Sequence, residues 1–382
     1  MPRHASVRID LDAVTANVVR LAGFAQPALL CAVVKADGYG HGAVEIATAA
    51  VEAGAPWLAV ALVEEGVELR EAGIDVPVLV LSQPPPDAMA DARAADLTPT
   101  LYTPEGVAAA ARAATEAAAE VASPGTPPWA VHLKVDTGMH RVGAQPADAV
   151  DLARSIQDSG LRLGGTFTHL AVADEPDRPE TRLQLDRFRA VLDDLAAADI
   201  DPGLRHAANS AGLLFHPDAR LDLVRVGIAA YGIAPAPTLE LPVMLTPAMS
   251  VRAEVTLVKD VPAGEGVSYG LRHVFDRDAV VATVPLGYAD GVSRRLGTAG
   301  AEVLIGGVRR PVRGVVTMDQ FVVEVTDGPP VASGDEVVLI GRQGDEEITA
   351  DEWAGLLDTI AYEVVCGFGP RLPRRYIGGR FT

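Results

Sequence analysis

The chain has 382 residues, of which 49% are hydrophobic, and its formal net charge is -19 at pH 7. This length accommodates a barrel-sized domain together with a smaller one. The acidic balance argues against a nucleic-acid-binding protein, because phosphate backbones require basic patches, and it equally disfavours binding to anionic membrane surfaces.

The first residues, MPRHASVRIDLDAV, lack the apolar core of a signal peptide, and no uncharged apolar run approaches the length of a membrane span. The two cysteines, Cys31 and Cys366, lie far apart in the sequence. Because no export signal is recognised, we expect both thiols to be reduced. The sequence therefore predicts a cytoplasmic protein.

Short apolar runs that resemble strands begin at Ser6–Leu11 and continue through the first two-thirds of the chain. About eight later runs alternate with amphipathic or Ala-rich helical stretches, as in a parallel sheet that closes into a (β/α)8 barrel. These runs are Leu29–Val34, Trp57–Leu62, Pro77–Leu81, Thr98–Leu101, Trp129–Val135, Leu163–Thr168, Leu204–Ala208 and Leu223–Gly227. We predict an α/β fold with a TIM-type barrel over residues 11-240.

The pattern changes after Gly232, where the Pro-rich stretch IAPAPTLELPVMLTP suggests a hinge. Short β-branched runs separated by Gly, Asp and Pro turns then favour antiparallel strands. The runs are Val251–Val258, Val280–Pro285, Glu302–Ile305, Phe321–Val325 and Val337–Ile340, and one helix is predicted over Ala350–Ile360. We predict a C-terminal, mainly antiparallel β domain over residues 241-382, joined by the N-terminal strand within residues 1-10.

Polar residues follow several predicted barrel strands, at the ends where a barrel of this type builds its active site. Each alone has an ordinary explanation, as a solvated lysine, a hydrogen-bonded core histidine or an arginine paired with a carboxylate. The residues are Lys35, Lys134, Asp136, His169, Asn209, Ser210 and Arg225. Their convergence on one barrel mouth favours an enzyme.

Motifs for several other chemistries are missing or misplaced. The eight histidines include no His-x-His pair and no H-E-x-x-H, so a metal hydrolase is not indicated, and the sequence contains no P-loop. The segment Gly266 to Gly270 matches G-x-S-x-G. A nucleophile elbow needs a strand before it and a helix after it, whereas turns and β-branched runs surround this segment, so a serine hydrolase is disfavoured.

Lys35 indicates a different chemistry. It follows the apolar strand Leu30–Val34 and precedes a Gly-rich loop, and desolvation at such a strand end frees a lysine amine to form a Schiff base. Backbone N–H groups at Gly227 and Ile228, with the Ser210 hydroxyl, can hold a phosphate at the last barrel strands. The combination indicates pyridoxal 5'-phosphate (PLP).

The sequence resembles the alanine racemase family over nearly its whole length. AVVKADGYGHG (Ala32–Gly42) is similar to the cofactor-lysine signature of that family, with Lys35 as the lysine. Further similar motifs follow in the same order: LKVDTGMHRVG, THLAVADE, AANSAG and VRVGIAAYG in the predicted barrel, then VSYG, PLGYADG, TMDQF and IAYEV in the predicted β domain.

The resemblance implies that the chain racemises L- and D-alanine with two bases, Lys35 and Tyr269, because a single base would have to cross the substrate plane. A free tyrosine has a pKa of about 10 and needs a cationic neighbourhood to act as a base. The family supplies it by hydrogen bonds from the tyrosine to His169 and on to Arg225. The family also places the arginine that matches Arg225 at the ring nitrogen of the cofactor, which implies a weaker electron sink and fewer side reactions.

The resemblance also implies binding roles. The residues similar to the phosphate-binding set are Tyr39, Ser210, Gly227, Ile228 and Tyr362. Asn209 belongs to the same motif, where capping the following helix is an equally good explanation. Arg141 resembles the residue that contacts the phenolic oxygen of the cofactor and the substrate carboxylate. Lys134 matches a lysine that many members carbamylate, the alternative being an ordinary buried lysine–carboxylate pair.

In the family a second subunit contributes Tyr269, Met318 and Asp319, which implies a homodimer with shared active sites. Tyr288 resembles a residue that lines the entry to the site. The implied role is the supply of D-alanine for peptidoglycan.

Three alternatives remain open. A PLP-dependent decarboxylase has the same architecture, but such enzymes carry a carboxylate where Arg225 stands. A non-catalytic PLP carrier resembles the barrel alone, so the second domain and Tyr269 argue against it. Serine or another amino acid is an alternative racemase substrate, although Tyr362 and Met318 suggest a pocket with little room beyond a methyl group.

Overall fold

The computed structural model describes residues 4–120 and 127–379. The strands are β1 (Ala5–Asp10), β2 (Leu29–Val33), β3 (Trp57–Val60), β4 (Val78–Val80), β5 (Thr98–Leu101), β6 (Ala130–Lys134), β7 (Arg162–Phe167), β8 (Leu204–His206), β9 (Leu223–Val226), β10 (Met249–Glu254), β11 (Leu257–Val261), β12 (Gly266–Val267), β13 (His273–Val274), β14 (Ala279–Val284), β15 (Glu302–Ile305), β16 (Val308–Arg313), β17 (Phe321–Glu324), β18 (Glu336–Gln343), β19 (Glu346–Ile348) and β20 (Arg374–Ile377).

The helices are α1 (Leu11–Ala25), α2 (Lys35–Gly40), α3 (Ala43–Glu52), α4 (Val63–Glu71), α5 (Met89–Ala94), α6 (Pro104–Glu120), α7 (Ala149–Asp158), α8 (Glu180–Ala197), α9 (Ser210–Phe215), α10 (Ala350–Leu357) and α11 (Ala361–Cys366). Among the described residues, none of these helices combines the length and apolarity needed to cross a bilayer.

Strands β2 to β9 form a parallel eight-stranded barrel, in the order β8-β7-β6-β5-β4-β3-β2-β9. Two backbone hydrogen bonds of 3.0 Å link β8 to β9: the Asp222 N–H donates to the Arg205 carbonyl oxygen, and the Arg225 N–H donates to that of Ala208. All four residues of β9 are buried, as expected where helices cover one face of the strands and the barrel core lies on the other. The predicted barrel is confirmed.

The helices around the barrel bury one apolar stripe each. In α7, for example, Ala149, Leu152, Ala153 and Ile156 are buried, a spacing that places them on one face of the helix. This periodicity explains why the alternation of strands and helices could be predicted from the sequence.

A second compact unit contains residues 4–13, 39–42 and 247–379 of the described chain. Its main sheet has the order β11-β14-β17-β16-β15-β18-β10-β1-β20, with β19 paired to β18. β1 pairs antiparallel with β10, so that Val7 lies opposite Val251, and pairs in parallel with β20. Alternate residues of β10 are buried, which gives the sheet one core face. The predicted mainly antiparallel character is confirmed.

Two details of this unit differ from the predictions. The run Val251–Val258 was expected to be one strand, but it spans the end of β10 and the start of β11. The single helix expected over Ala350–Ile360 is shorter and is followed by a second helix, α11. Asp358 separates the two, because its left-handed backbone (φ 57°) ends α10.

Candidate active site

The segment after Lys35 is a left-handed helical turn rather than the loop that the glycines suggested. Lys35 is the first residue of α2, and the five residues that follow all have positive φ, from 52° at Asp37 to 78° at Gly40. A left-handed residue other than glycine costs roughly 1–2 kcal/mol. Ala36, Asp37 and Tyr39 pay this cost, so neighbouring groups must hold the turn in place.

Several hydrogen bonds stabilise this turn. The Gly38 N–H donates to the Val34 carbonyl oxygen at 2.9 Å, and Asp37 Oδ1 accepts the Ala43 N–H at 3.0 Å. The Ala36 N–H donates to Glu65. Together they hold the backbone directly after Lys35.

Arg225 is the centre of a buried polar network inside the barrel. Its Nη1 donates to His206 Nδ1 at 2.7 Å, and its Nη2 lies 3.2 Å from His169 Nδ1. Nη2 also donates to the carbonyl oxygens of Thr168 (2.8 Å) and Ala207 (3.0 Å). Because a guanidinium can only donate, both Nδ1 atoms accept, and His169 and His206 therefore carry their proton on Nε2.

The network continues to a third histidine. His206 Nε2 lies 3.0 Å from His132 Nδ1, so His132 carries its own proton on Nε2. Burial lowers the pKa of His132 to about 3, and burial together with the Arg225 cation holds the pKa of His206 and His169 well below the usual range. Burial also lowers the pKa of Arg225, to about 10, so it remains a cation among neutral imidazoles.

We expect the free energy of unfolding to fall as the pH drops below about 6.5, the usual histidine pKa. The folded chain keeps His132 neutral down to a pH of about 3 while the unfolded chain binds the proton, so this residue removes up to about 1.4 kcal/mol per pH unit. Urea unfolding measured between pH 6.5 and pH 3 should show that the free energy of unfolding depends less steeply on pH in His132→Gln than in the wild type. His4→Gln, at an exposed position, is the control. An unchanged slope in His132→Gln would contradict the neutral assignment.

Lys134 ends β6 and is 6% exposed. Its Nζ donates to the Leu81 carbonyl oxygen at 3.4 Å and lies 5.3 Å from the centre of the Phe167 ring. Burial, followed by the charge of Arg225 and other nearby cations, lowers the pKa of Lys134 to about 7. The unprotonated, nucleophilic form of this amine is therefore favoured more than in an exposed lysine.

Arg141 is exposed in the loop that follows β6. Asp136 organises this loop, because its Oδ1 accepts the N–H groups of Gly138 (2.9 Å), Met139 (3.0 Å) and His140 (3.1 Å). Burial alone would raise the pKa of Asp136, but these N–H groups more than compensate and lower it. Asp136 thus shapes the loop that carries Arg141.

The predicted phosphate cup, formed by Ser210, Gly227 and Ile228, is built at the ends of β8 and β9. Ser210 Oγ accepts the Gly227 N–H at 3.0 Å, and Ile228 is fully buried at the start of the following 3-10 turn. Asn209 caps α9, since its side chain accepts the Gly212 N–H at 2.8 Å. The alternative capping role of Asn209 is therefore observed.

Two further predicted phosphate-binding residues lie in the β unit. The rings of Tyr39 and Tyr362 have their centroids 6.2 Å apart. Burial, and then the neighbouring Tyr362, raises the pKa of Tyr39 above the usual range, so its phenol stays protonated and can donate a hydrogen bond.

Tyr269 has a constrained backbone and an exposed side chain. Tyr269 is 73% exposed. The preceding Ser268 has a left-handed backbone (φ 63°), and its Oγ donates to the Val315 carbonyl oxygen at 2.6 Å. A Cβ at Gly314 would lie 2.7 Å from the Val267 carbonyl oxygen, so only glycine allows this close approach. The hydroxyl of Ser268, the serine of the G-x-S-x-G match, thus forms a hydrogen bond with a backbone carbonyl oxygen.

Tyr288, Met318 and Asp319 come from two loops of the β unit that touch. A Cβ at Gly287 would lie 2.2 Å from the Met318 carbonyl oxygen, so the loops meet through backbone contact. Tyr288 is 44% and Met318 52% exposed, and Asp319 forms an ion pair of 2.7 Å with Arg371.

Four residues of the site, His132, His206, Phe167 and Glu65, were not predicted from the sequence. His132 lies two residues before Lys134 on β6, so both side chains project to the same face of the strand. The alternation of side chains along a strand could therefore have identified His132 as facing inward with Lys134. The other contacts depend on residues that are distant in sequence.

The barrel has a strand-end lysine, a buried arginine and a hydroxyl-lined cup at its C-terminal face, and the same chain contains a mainly antiparallel β unit. These features define an enzyme of the barrel-plus-β class. The model of the alanine racemase N-terminal domain matches residues 9–235, and that of the C-terminal domain matches residues 248–376. The chain therefore belongs to the alanine racemase family.

Individual relatives agree. The alanine racemase of Symbiobacterium thermophilum is 52% identical over 372 residues, covering 97% of this chain and 96% of that protein. The alanine racemase structure from D-cycloserine-producing Streptomyces lavendulae has a TM-score of 0.91 and 41% identity, covering 99% and 98% of the two chains. A histidine racemase structure from Leuconostoc mesenteroides has a TM-score of 0.87 and 30% identity, covering 98% of both. The predicted family and the prediction of an amino-acid racemase are confirmed.

Proposed function

We propose that the protein interconverts L- and D-alanine with PLP as its cofactor. The observation that carries this proposal is the 52% identity with an alanine racemase over 97% of the chain. Identity with the histidine racemase is only 30%. This difference favours alanine over a larger substrate.

The donor groups of the barrel mouth fit PLP. Lys35 offers an amine for its aldehyde, the cup of Ser210, Gly227 and Ile228 offers small groups for its phosphate, and Arg225 offers a buried cation for its ring nitrogen. We assign the phenols of Tyr39 and Tyr362 and the neighbouring Asn209 to the phosphate as well, by motif position. When bound, PLP supplies an electron-accepting ring that stabilises negative charge at the substrate α-carbon.

The two proposed bases act on opposite faces of the substrate. Lys35 Nζ moves the α-proton on one face and Tyr269 Oη moves it on the other, so that neither has to cross the substrate plane. The tautomer of His169 supports this assignment: Nδ1 accepts from Arg225, which leaves the Nε2 proton available to donate to a tyrosine oxygen. Such a bond favours the deprotonated, basic form of Tyr269.

Binding of the substrate carboxylate is assigned to Arg141, with Met318, Asp319 and Tyr288 restricting the size of the side chain. We propose that Lys134 is carbamylated and orients Arg141. Its lowered pKa supports this, because the unprotonated amine attacks the carbon of CO2, forms an N–C bond and releases a proton to water. Carbon-13 NMR of the protein equilibrated with 13C-bicarbonate at neutral pH detects the carbamate carbon, and the absence of its signal would overturn this assignment.

We also propose a homodimer in which Tyr269, Met318 and Asp319 complete the site of the partner subunit. The β unit exposes several large apolar side chains, which a second copy would cover: Tyr269 (73%), Met318 (52%), Leu271 (61%) and Ile360 (60%). The family resemblance further supports a cytoplasmic enzyme that supplies D-alanine for peptidoglycan.

Incubation of the purified protein with PLP and L-alanine in deuterated water tests the proposed function. We expect D-alanine with deuterium at the α-carbon, measured by chiral chromatography and mass spectrometry. Release of carbon dioxide would instead indicate the decarboxylase. Parallel incubations with L-serine and L-histidine test the substrate, and faster turnover of either would overturn the choice of alanine.

A further inference from the structure

Glu65, in the first turn of α4, binds two separate segments of the chain with one carboxylate. Its Oε2 accepts the N–H groups of Ala61 (2.7 Å) and Leu62 (3.0 Å), which directly precede α4 and form an ordinary helix N-terminal cap. Its Oε1 accepts the Ala36 N–H at 2.6 Å. This third bond is not part of the cap, because Ala36 lies 29 residues earlier in the chain, next to Lys35.

The bond to Ala36 acts at a point where the backbone conformation is sterically unfavourable. Ala36 is the first residue of the left-handed turn, with φ of 54°. Because it is not a glycine, its Cβ makes this conformation sterically costly. Its N–H belongs to the planar peptide unit that joins it to Lys35, so holding this N–H also orients the Lys35 carbonyl and Cα. A hydrogen bond to a carboxylate is about twice as strong as one between neutral groups.

The carboxylate also connects two neighbouring barrel strands at their C-terminal ends. β2 and β3 are paired in parallel, with Val33 opposite Ala59. Lys35 follows β2 and Ala61 follows β3, so the two oxygens of Glu65 bind the residues just beyond both strands. A displacement of either strand end would therefore stretch one of these bonds.

We propose that Glu65 is a positioning residue, which holds the peptide between Lys35 and Ala36 and thereby aims the Lys35 amine. The inference rests on the proposed function of Lys35 as the cofactor-binding lysine. A glutamine has one accepting oxygen and an NH2 group that cannot accept, so it cannot serve the cap and Ala36 together.

The test compares Glu65→Gln with two controls. Glu64→Gln removes one charge at the exposed neighbouring position of α4. Thr349→Ala removes a cap elsewhere, since the Thr349 side chain accepts the Glu352 N–H at the start of α10. The first variant controls for charge and the second for the loss of a cap.

Hydrogen exchange of the Ala36 amide in the enzyme without substrate is the first measurement. We expect it to accelerate by about tenfold or more in Glu65→Gln, because the hydrogen bond to a charged acceptor is lost, and to stay unchanged in both controls. The second measurement is steady-state racemisation. We expect kcat to fall by about 10- to 100-fold with a smaller change in KM, as for a misplaced catalytic group.

Unchanged Ala36 exchange in Glu65→Gln, or faster exchange with unchanged kcat, would overturn the positioning role. An equal loss of kcat in Thr349→Ala would also overturn it, since general destabilisation would then explain the result. Borohydride reduction of the wild-type holoenzyme with peptide mapping tests the proposed function separately. A label away from Lys35 would overturn the role of Lys35, whereas the exchange of Ala36 reports on the Glu65 contact alone.

Discussion

Tyr269→Phe should remove most racemisation while one face of the substrate continues to exchange its α-proton. The phenol oxygen is the proposed base on that second face, and general acid–base catalysis typically contributes about 10²–10⁴-fold. We expect the rate of conversion of L- to D-alanine to fall within that range. In deuterated water, Lys35 should still exchange the α-proton of one enantiomer with retention of configuration, measured by NMR together with chiral chromatography.

Tyr376→Phe is the matched control, because it removes a phenol from β20 of the same unit. Its racemisation rate should remain that of the wild type. The two-base assignment would be wrong if Tyr269→Phe racemised alanine within about threefold of the wild type. It would also be wrong if proton exchange of both enantiomers disappeared along with racemisation, since Lys35 would then depend on Tyr269.

The barrel could be predicted from the sequence because its strands are short apolar runs between helices with a clear period. Each predicted run overlaps its strand, as Leu223–Gly227 does with β9. The β unit was harder to predict. β16, with the sequence VRRPVR, carries three arginines and a proline, and neither its composition nor its alternation is typical of a strand.

β16 is held in the sheet by pairing with β15 and β17, and ion pairs add to this. Arg309 lies opposite Leu304 in the sheet and forms ion pairs with Glu302 (3.2 Å) and Glu352 (2.8 Å). These partners are distant in sequence or belong to other elements. A local pattern therefore contains no signal for this strand.

The left-handed turn shows the same limit at the candidate site. Gly38 and Gly40 indicate positive φ locally, but Ala36 and Tyr39 do not, since residues with a Cβ avoid this region. Only contacts made in the folded chain, such as that of Glu65, offset the cost. The sequence could single out Lys35 as the candidate reactive lysine, but not the conformation of the backbone next to it.

The histidine network was also predicted only in part. The sequence singled out His169 and Arg225 by their motifs, and the structure brings them to 3.2 Å. The positions of their protons follow from geometry alone, because each depends on which atom of Arg225 or His206 faces the ring. His132 and His206 extend the network, and burial followed by the charge of nearby cations such as Arg225 lowers the pKa of both rings and keeps them neutral.

Mixed dimers of two inactive variants should recover activity if Tyr269 acts in the site of the partner. In a mixed dimer of Lys35→Ala and Tyr269→Phe, one site combines the intact lysine of one chain with the intact tyrosine of the other. Random assembly makes half of the dimers mixed, so about one quarter of all sites should be functional. Co-expression of the two variants and measurement of racemisation per subunit, relative to the wild type, would give this fraction.

A second mixture controls for nonspecific recovery. Lys35→Ala combined with His169→Ala should stay inactive, because both residues belong to the barrel of one chain and every site then lacks one of them. If the first mixture also stays at the sum of its separate variants, although size-exclusion chromatography with differently tagged chains shows mixed dimers, Tyr269 acts within its own chain. The exposure of Tyr269 in the single chain leads us to expect recovery, since a buried partner contact would give this side chain both its position and its basicity.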